Sequence, residues 1–222
     1  MLRGLVLALL AGFAVSAAVV LGLRWVDPPF TAVMWLESGP WRDIDYRWVD
    51  RSAIAPAAAR AVIAAEDQKF LDHHGFDLGS LRDAVETYRA GGDLRGASTI
   101  SQQVAKNLFL WNGRSFARKA LEAYFTVLIE ACWSKQRILE VYLNVAEFGE
   151  GVFGVEAAAE RFFAESAGRL NARDAALLAA VLPSPKRMNA GHPSEYVRQR
   201  QAEILEQMRL LEQRGHYRGL EW

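Results

Sequence analysis

A single cysteine, Cys132, excludes an internal disulfide and any multi-cysteine metal site. It lies in an apolar run, which marks it as buried packing. A dominant charge sign is missing as well. Lys plus Arg and Asp plus Glu number 26 each, so there is no global footprint for nucleic acid. Any electrostatic function must come from local clustering. Alternations of Val, Ile and Thr long enough for strands are scarce, which argues against a strand-built fold. No internal repeat and no low-complexity tail occur.

What is present is a folded globular composition, 51% apolar and 23% charged. The 222 residues suffice for one large domain, or one domain with an appendage. Gly4 to Leu23, "GLVLALLAGFAVSAAVVLGL", holds twenty residues without a charge, the length needed to cross a hydrocarbon core as a helix. A cleavable signal peptide is the competing reading, because residues 14–18, "AVSAA", are small. The apolar run continues to Leu23, which favours an uncleaved anchor. Arg3 and Arg24 give little charge bias to orient it. The chain therefore divides into an anchor (1–25), a Trp- and Pro-rich juxtamembrane segment (26–50) and a domain (51–222). The middle segment suits a membrane interface, and suits the start of the folded domain equally well.

Beyond Ser52 the periodicity is helical. Helices are expected over 55–67, with Pro56 at the start, and over 78–90, 99–110, 116–133, 135–148, 154–163, 172–182 and 194–213. Gly and Pro gather between them.

Four stretches carry chemistry. In "AEDQKFLDHHGFD" (65–77), Glu66 and Asp67 end an Ala-rich helix. Acids at a helix C-terminus oppose its dipole, so stability alone gives no reason for them. A carboxylate beside an apolar wall has a raised pKa, which suits a general acid or base. His73 and His74 lack an H-E-x-x-H spacing, and structural hydrogen bonding explains them better than a metal.

"RGASTISQQVAKN" (95–107) contains no acid. Ile100, Val104 and Leu108 form an apolar stripe, while Thr99, Gln103 and Lys106 share another face, with Ser98 and Gln102 beside them. Thr99 and Gln102 fit a capping box. Capping leaves Ser98, Gln103, Lys106 and Asn107 unexplained, and free N–H groups near Lys106 make an anion or sugar site.

In "RSFARKALEAYF" (114–125), Arg118 and Lys119 share a face with Glu122, which on its own reads as an ordinary surface ion pair. Arg114 extends the positive charge, and an acid within a cationic face suits diphosphate handling. "KQRILEVYLNVAEFGEGVFGVEAAAERFF" (135–163) contains Gly149-x-Gly151-x-x-Gly154. The segment before it is helical, without a βαβ context, so a glycine loop between helices fits better than a dinucleotide site. Asn144 and Glu147 are expected to face the same cleft.

At these stretches the sequence resembles the monofunctional biosynthetic peptidoglycan glycosyltransferases (glycosyltransferase family 51). "EDQKFLDHHGFD", "GASTISQQVAKN", "RKALE" and the Lys135–Phe163 run are similar to its first four motifs. "AALLAAVLPSP" and "RQAEILEQM" are similar to the fifth and its trailing helix. Together they cover most of residues 60–208, in order. Some relatives carry Lys where Leu121 stands and a second Arg at Gln201.

The resemblance implies a mostly α, lysozyme-like domain preceded by one N-terminal transmembrane helix. It implies a single-pass protein of the bacterial inner membrane, with its catalytic domain periplasmic. Lipid II would be joined into β-1,4 glycan with inversion and release of undecaprenyl diphosphate. By position, Glu66 corresponds to the base on the acceptor 4-hydroxyl. Glu122 corresponds to the second acid, where a divalent metal (Mg or Mn) is conceivable; no other cofactor is implied. Lys106, Arg114, Arg118 and Lys119 correspond to diphosphate-side cations, and Ser98, Gln102, Gln103, Asp67, Phe70 and Asn107 to cleft residues. The implied partners are lipid II, the growing glycan, the membrane and other cell-wall synthesis proteins, with no nucleic acid.

The residue chemistry agrees with this reading. A sugar diphosphate needs no acid on its leaving group if cations stabilise the developing charge, and one base on the acceptor then suffices. No S-x-x-K tetrapeptide occurs, so no transpeptidase serine is expected. A muramidase or lytic transglycosylase would also use a Glu in a helical cleft, but has no need of the cationic set. A non-catalytic wall-assembly scaffold would leave Glu66 and Lys106 dispensable.

Overall fold

The computed structural model describes residues 2–38, 44–89, 91, 98–113, 115–220 and 222. It opens with α1 (Leu2–Gly22), of which Arg3–Gly22 is long and apolar enough to cross a membrane. Most of α1 is exposed. It nevertheless docks on α6 (Phe116–Cys132): the hydroxyls of Ser16 and Tyr124 lie 2.6 Å apart, and Phe13 meets the Tyr124 ring edge-on. The chain leaving α1 is pinned by α7 (Lys135–Val145). The Arg137 guanidinium donates to the carbonyls of Leu23 and Val26 and pairs with Asp27. Between α6 and α7, the Trp133 indole N–H donates to the Val20 carbonyl at 2.7 Å.

Much of residues 26–50 packs on the domain. In α2 (Ala32–Ser38), Val33 and Met34 are buried and the helix lies against α5 (Ile100–Phe109). Strand β1 (Asp45–Tyr46) joins a small sheet with β2 (Glu147–Gly149) and β3 (Val152–Phe153). The order is β1-β3-β2, with β1 parallel and β2 antiparallel to β3. This small sheet sits within the mostly α fold expected, and its strands were not read from the sequence. Its strands are two or three residues long, too short to leave a period-two pattern. The glycine loop expected at 149–154 is a hairpin closing onto the core. Gly154 adopts φ +86°, and a Cβ there would lie 2.6 Å from the Asn144 carbonyl oxygen. Backbone packing thus explains this glycine without any phosphate.

The core forms around α7, buried from Ile138 to Val145 on nearly every side except Glu140. Helix α3 (Pro56–Glu66) packs on α9 (Ala172–Val181) and α10 (Glu195–Gln213). Buried alanines face each other there, Ala58, Ala59 and Ala61 from α3 and Ala175, Ala176 and Ala179 from α9. Small side chains let the helices interlock closely. Helix α4 (Leu78–Arg89) is largely exposed at its described residues, and α8 (Val155–Phe163) links the sheet to α9.

After α10 the chain returns across α3. Tyr217 donates its hydroxyl to the Arg60 carbonyl at 3.3 Å, and the Trp222 indole N–H donates to the Ile54 carbonyl at 3.1 Å. Arg60 lies over the Tyr217 ring, 5.5 Å from its centroid. His216 reaches Asp72 at 3.2 Å. The half-buried thiol Cys132 packs beside the core.

Candidate active site

Helix α3 delivers Glu66 as its last residue. Helix α5 begins with Thr99, whose hydroxyl accepts from the Gln102 N–H while the Gln102 side chain accepts from the Thr99 N–H. This is the capping box expected from the spacing. It fixes the register of α5, so Gln103 faces Glu66. Gln103 Nε2 donates to Glu66 Oε2 at 2.8 Å, and Gln103 Oε1 accepts from the Tyr142 hydroxyl at 3.3 Å. Burial pushes the Glu66 carboxyl above its ordinary pKa, outweighing the Gln103 hydrogen bond and the attraction of Arg200 and Lys106; Asp67 pushes in the same direction as burial.

Two cavities meet at this pair. One, of 250 Å³, is lined by Glu66, Gln68, Lys69, Asp77, Ser98 and Thr99, among others. The second, of 460 Å³, is lined by Gln103, Lys106, Asn107, Glu147, Lys186 and Arg187, among others. Within the first, burial tends to raise the Asp77 carboxyl. The hydrogen bonds from Ser80 and the charge of Lys69 outweigh it, and Asp77 is held below its ordinary value.

Glu122 is buried on α6. Arg118 Nη1 donates to its Oε2 at 2.5 Å, Lys119 Nζ donates to its Oε1, and Lys119 also reaches Ser98 Oγ at 3.2 Å. This matches the shared face read from the spacing. Lys119 thereby ties the Glu122 cluster to the wall of the first cavity, while Lys106 lines the second. Of the cations expected as one set, Lys106 lines the second cavity, Lys119 reaches the first through Ser98, and Arg118 is turned to Glu122. Arg114 lies outside the described residues.

A divalent ion at Glu122 does not fit this donor set. Both carboxylate oxygens already hold a cation, and no group of three or more His, Cys, Asp or Glu side chains suited to a metal occurs among the described residues.

Three expected cleft residues turn inward. Phe70 is fully buried beneath Lys135, whose Nζ sits 4.6 Å from its ring centroid. Gln102 is buried and engaged in the cap. Asp67 borders the first cavity, yet its carboxylate accepts from His73 Nε2 and from the Ile100 N–H. Gly75 donates its N–H to His73 Nδ1, which puts the imidazole proton on Nε2. Asn144 does not face the cleft with Glu147. It is buried, and its amide pairs with both backbone groups of Val49. Glu147 lines the second cavity.

Sequence reasoning missed Lys186 and Arg187, Tyr142, Lys69 and Arg200. The first two were signalled by "PSPKR", two cations directly after a Pro-Ser-Pro turn. Tyr142 carried no signal, being one more large residue in a buried helix.

The site sets a buried acid, Glu66, beside a glutamine whose own cavity carries Lys106, Lys186 and Arg187, all within a helical domain. The transglycosylase family model matches residues 36–209. The chain belongs to that family, a family of enzymes. It is 54% identical over 223 residues to the "Biosynthetic peptidoglycan transglycosylase" of Stutzerimonas stutzeri (strain A1501), covering 95% of this chain and 91% of the relative. It is 51% identical over 226 residues to the protein of that description from Pseudomonas syringae pv. syringae (strain B728a), covering 99% and 95%. With that of Xanthomonas campestris pv. campestris (strain B100) it shares 50% over 217 residues, covering 95% and 88%.

Proposed function

We propose that the protein polymerises lipid II into the β-1,4 glycan of peptidoglycan. The observation that carries this reading is the Glu66–Gln103 pair: Glu66 lines a cavity that it shares with Asp67, Asp77 and Lys69, and Gln103 lines a second one whose wall carries Lys106, Lys186 and Arg187. An acceptor sugar in one cavity and a sugar diphosphate in the other would meet at this carboxylate. Glu66 takes the proton of the acceptor 4-hydroxyl, and that oxygen attacks the donor anomeric carbon from the face opposite the diphosphate. The C–O bond to the diphosphate breaks with inversion, and the electron pair leaves on undecaprenyl diphosphate.

The raised Glu66 pKa fits a base that must hold a proton after abstraction. Lys106, Lys119 and Arg118, with Arg114 by resemblance, supply the charge that the leaving group needs. Ser98, Gln103 and Asn107 supply polar contacts to the sugars. Asp67, Gln102 and Phe70 hold the shape of the cleft, and Glu122 orders Arg118 and Lys119. With no S-x-x-K tetrapeptide, this reading assigns one activity and no transpeptidation.

The same reading makes α1 an anchor in the bacterial inner membrane with the domain on the periplasmic face. Support comes from the exposed apolar length of α1 and from Leu121 and Val127, exposed on α6, the helix it docks against. A membrane-borne enzyme meets a polyprenyl-linked substrate in its own plane.

The test incubates the full chain, in detergent or vesicles, with labelled lipid II. Polymer formation that disappears in Glu66→Gln is expected. Shortening of preformed glycan, with no polymer made, overturns the reading.

A further inference from the structure

We infer that Tyr142 is a positioning residue for the transfer step, acting through the Gln103 amide on Glu66. The inference rests on the reading of Glu66 as the base.

A side-chain amide has two ends of opposite character, and nothing in Gln103 itself decides which one faces Glu66. Turned one way, its N–H supports a carboxylate. Turned the other way, its oxygen faces the carboxylate and repels it. An ionised carboxylate favours the N–H end, and a donor at the far end reinforces that choice. Tyr142 is fully buried on α7, and its hydroxyl donates to Gln103 Oε1 at 3.3 Å. That contact holds the oxygen away from Glu66 and leaves Nε2 to donate to Glu66 Oε2 at 2.8 Å. A phenol can serve here because burial, with the nearby Glu66 and Asp67 charges, keeps its proton on well beyond the ordinary range. Throughout the working pH range it is a donor.

The alternative is a core tyrosine whose hydroxyl merely needed a partner. Packing alone would be served by phenylalanine. The hydroxyl instead ends on the amide that donates to the Glu66 carboxylate. The groups acting on Glu66 are then Gln103 and Lys106 from α5, Arg200 from α10, the adjacent Asp67 with its His73 partner, and Tyr142 from α7.

Tyr142→Phe removes one oxygen atom and leaves the packing. The Gln103 amide is then free to turn, and the ionised form of Glu66 loses support. The acid limb of the kcat profile for lipid II polymerisation is expected to move up by about 0.5–1 pH unit. The relative loss of rate is then greater at low pH than at high pH. Gln103→Met is expected to give a shift of similar size, and Tyr142→Phe added to Gln103→Met to give no further shift. An unmoved acid limb in Tyr142→Phe, with a uniform loss of rate, overturns the inference, as do additive shifts in the double variant. Glu66→Gln separates the two levels. Retained polymerisation in that variant overturns the assignment of the base itself. A dead Glu66→Gln beside an unmoved limb in Tyr142→Phe overturns only the positioning role.

Discussion

The Asp67 carboxylate is bound to His73 through both of its oxygens, at 2.9 and 3.1 Å from Nε2, and Oδ2 also accepts from the Ile100 N–H at 3.0 Å. One side chain thus joins the end of α3 to the start of α5, next to Glu66. Asp67→Ala leaves a buried N–H and an imidazole unpaired. It is expected to cost about 2–4 kcal/mol of stability, measured by denaturant unfolding. Asp67→Asn keeps part of the pairing and is expected to cost less. Equal, small losses in both would mean that the pairing contributes little.

Glu66 gives a prediction of opposite sign. Its pKa is raised in the folded state, so the fold binds this proton more tightly than the unfolded chain does. The resulting stabilisation is complete below the ordinary glutamate pKa and is lost as pH rises through the higher folded value. At neutral pH an ionised Glu66 therefore opposes folding. Glu66→Gln is expected to raise the melting temperature at pH 7.5 by about 2–4 °C while abolishing polymer formation. At pH 4 the gain should vanish. A lower melting temperature at pH 7.5 would mean that Arg200 and Lys106 outweigh the burial.

Arg118 and Lys119 both hold Glu122, but their surroundings differ. The Arg118 side chain is 11% exposed and that of Lys119 is 44% exposed. Arg118→Ala leaves one oxygen of a buried carboxylate unpaired, with Lys119 still on the other, and is expected to cost about 2–3 kcal/mol. Lys119→Ala should cost at most about 1 kcal/mol. Both should weaken binding of the diphosphate donor, so calorimetric lipid II titrations and unfolding curves together separate charge from support.

The segment after α10 lies beyond residue 209, where the family match ends. Tyr217 is 8% exposed and rests on Arg60. Deleting residues 214–222 uncovers this face of α3 and is expected to cost about 2–3 kcal/mol from the tyrosine alone. Polymer formation at low temperature should persist. Loss of activity with an unchanged unfolding midpoint would give the segment a direct catalytic role instead.

Five helices were legible in part because their first turns carry side-chain caps, whereas α2 was not expected. Ser115, Ser134, Asn171 and Ser194 cap α6, α7, α9 and α10, and Thr99 caps α5. The pairing of Arg118 and Lys119 with Glu122 follows from spacing along one helix. Contacts between distant segments leave no such mark. Asn144 looked like a cleft amide because its partner, Val49, is remote in sequence and engages only through its backbone. Phe70 and Gln102 sit in motif positions, and a motif does not say whether a residue touches substrate or supports one that does. The three-stranded sheet escaped because pairing across the chain, rather than a local pattern, defines it.

Gly75 sits at φ +85°, and a Cβ on it would lie 2.6 Å from Thr126 Cγ2 and 3.0 Å from Glu130 Cγ. The loop behind Glu66 therefore meshes with the helix that carries Glu122, tooth to notch, with no slack between them. The gap between that loop and α6 is set by the thickness of one threonine methyl. A single added carbon at Gly75 would throw that setting off without touching either acid.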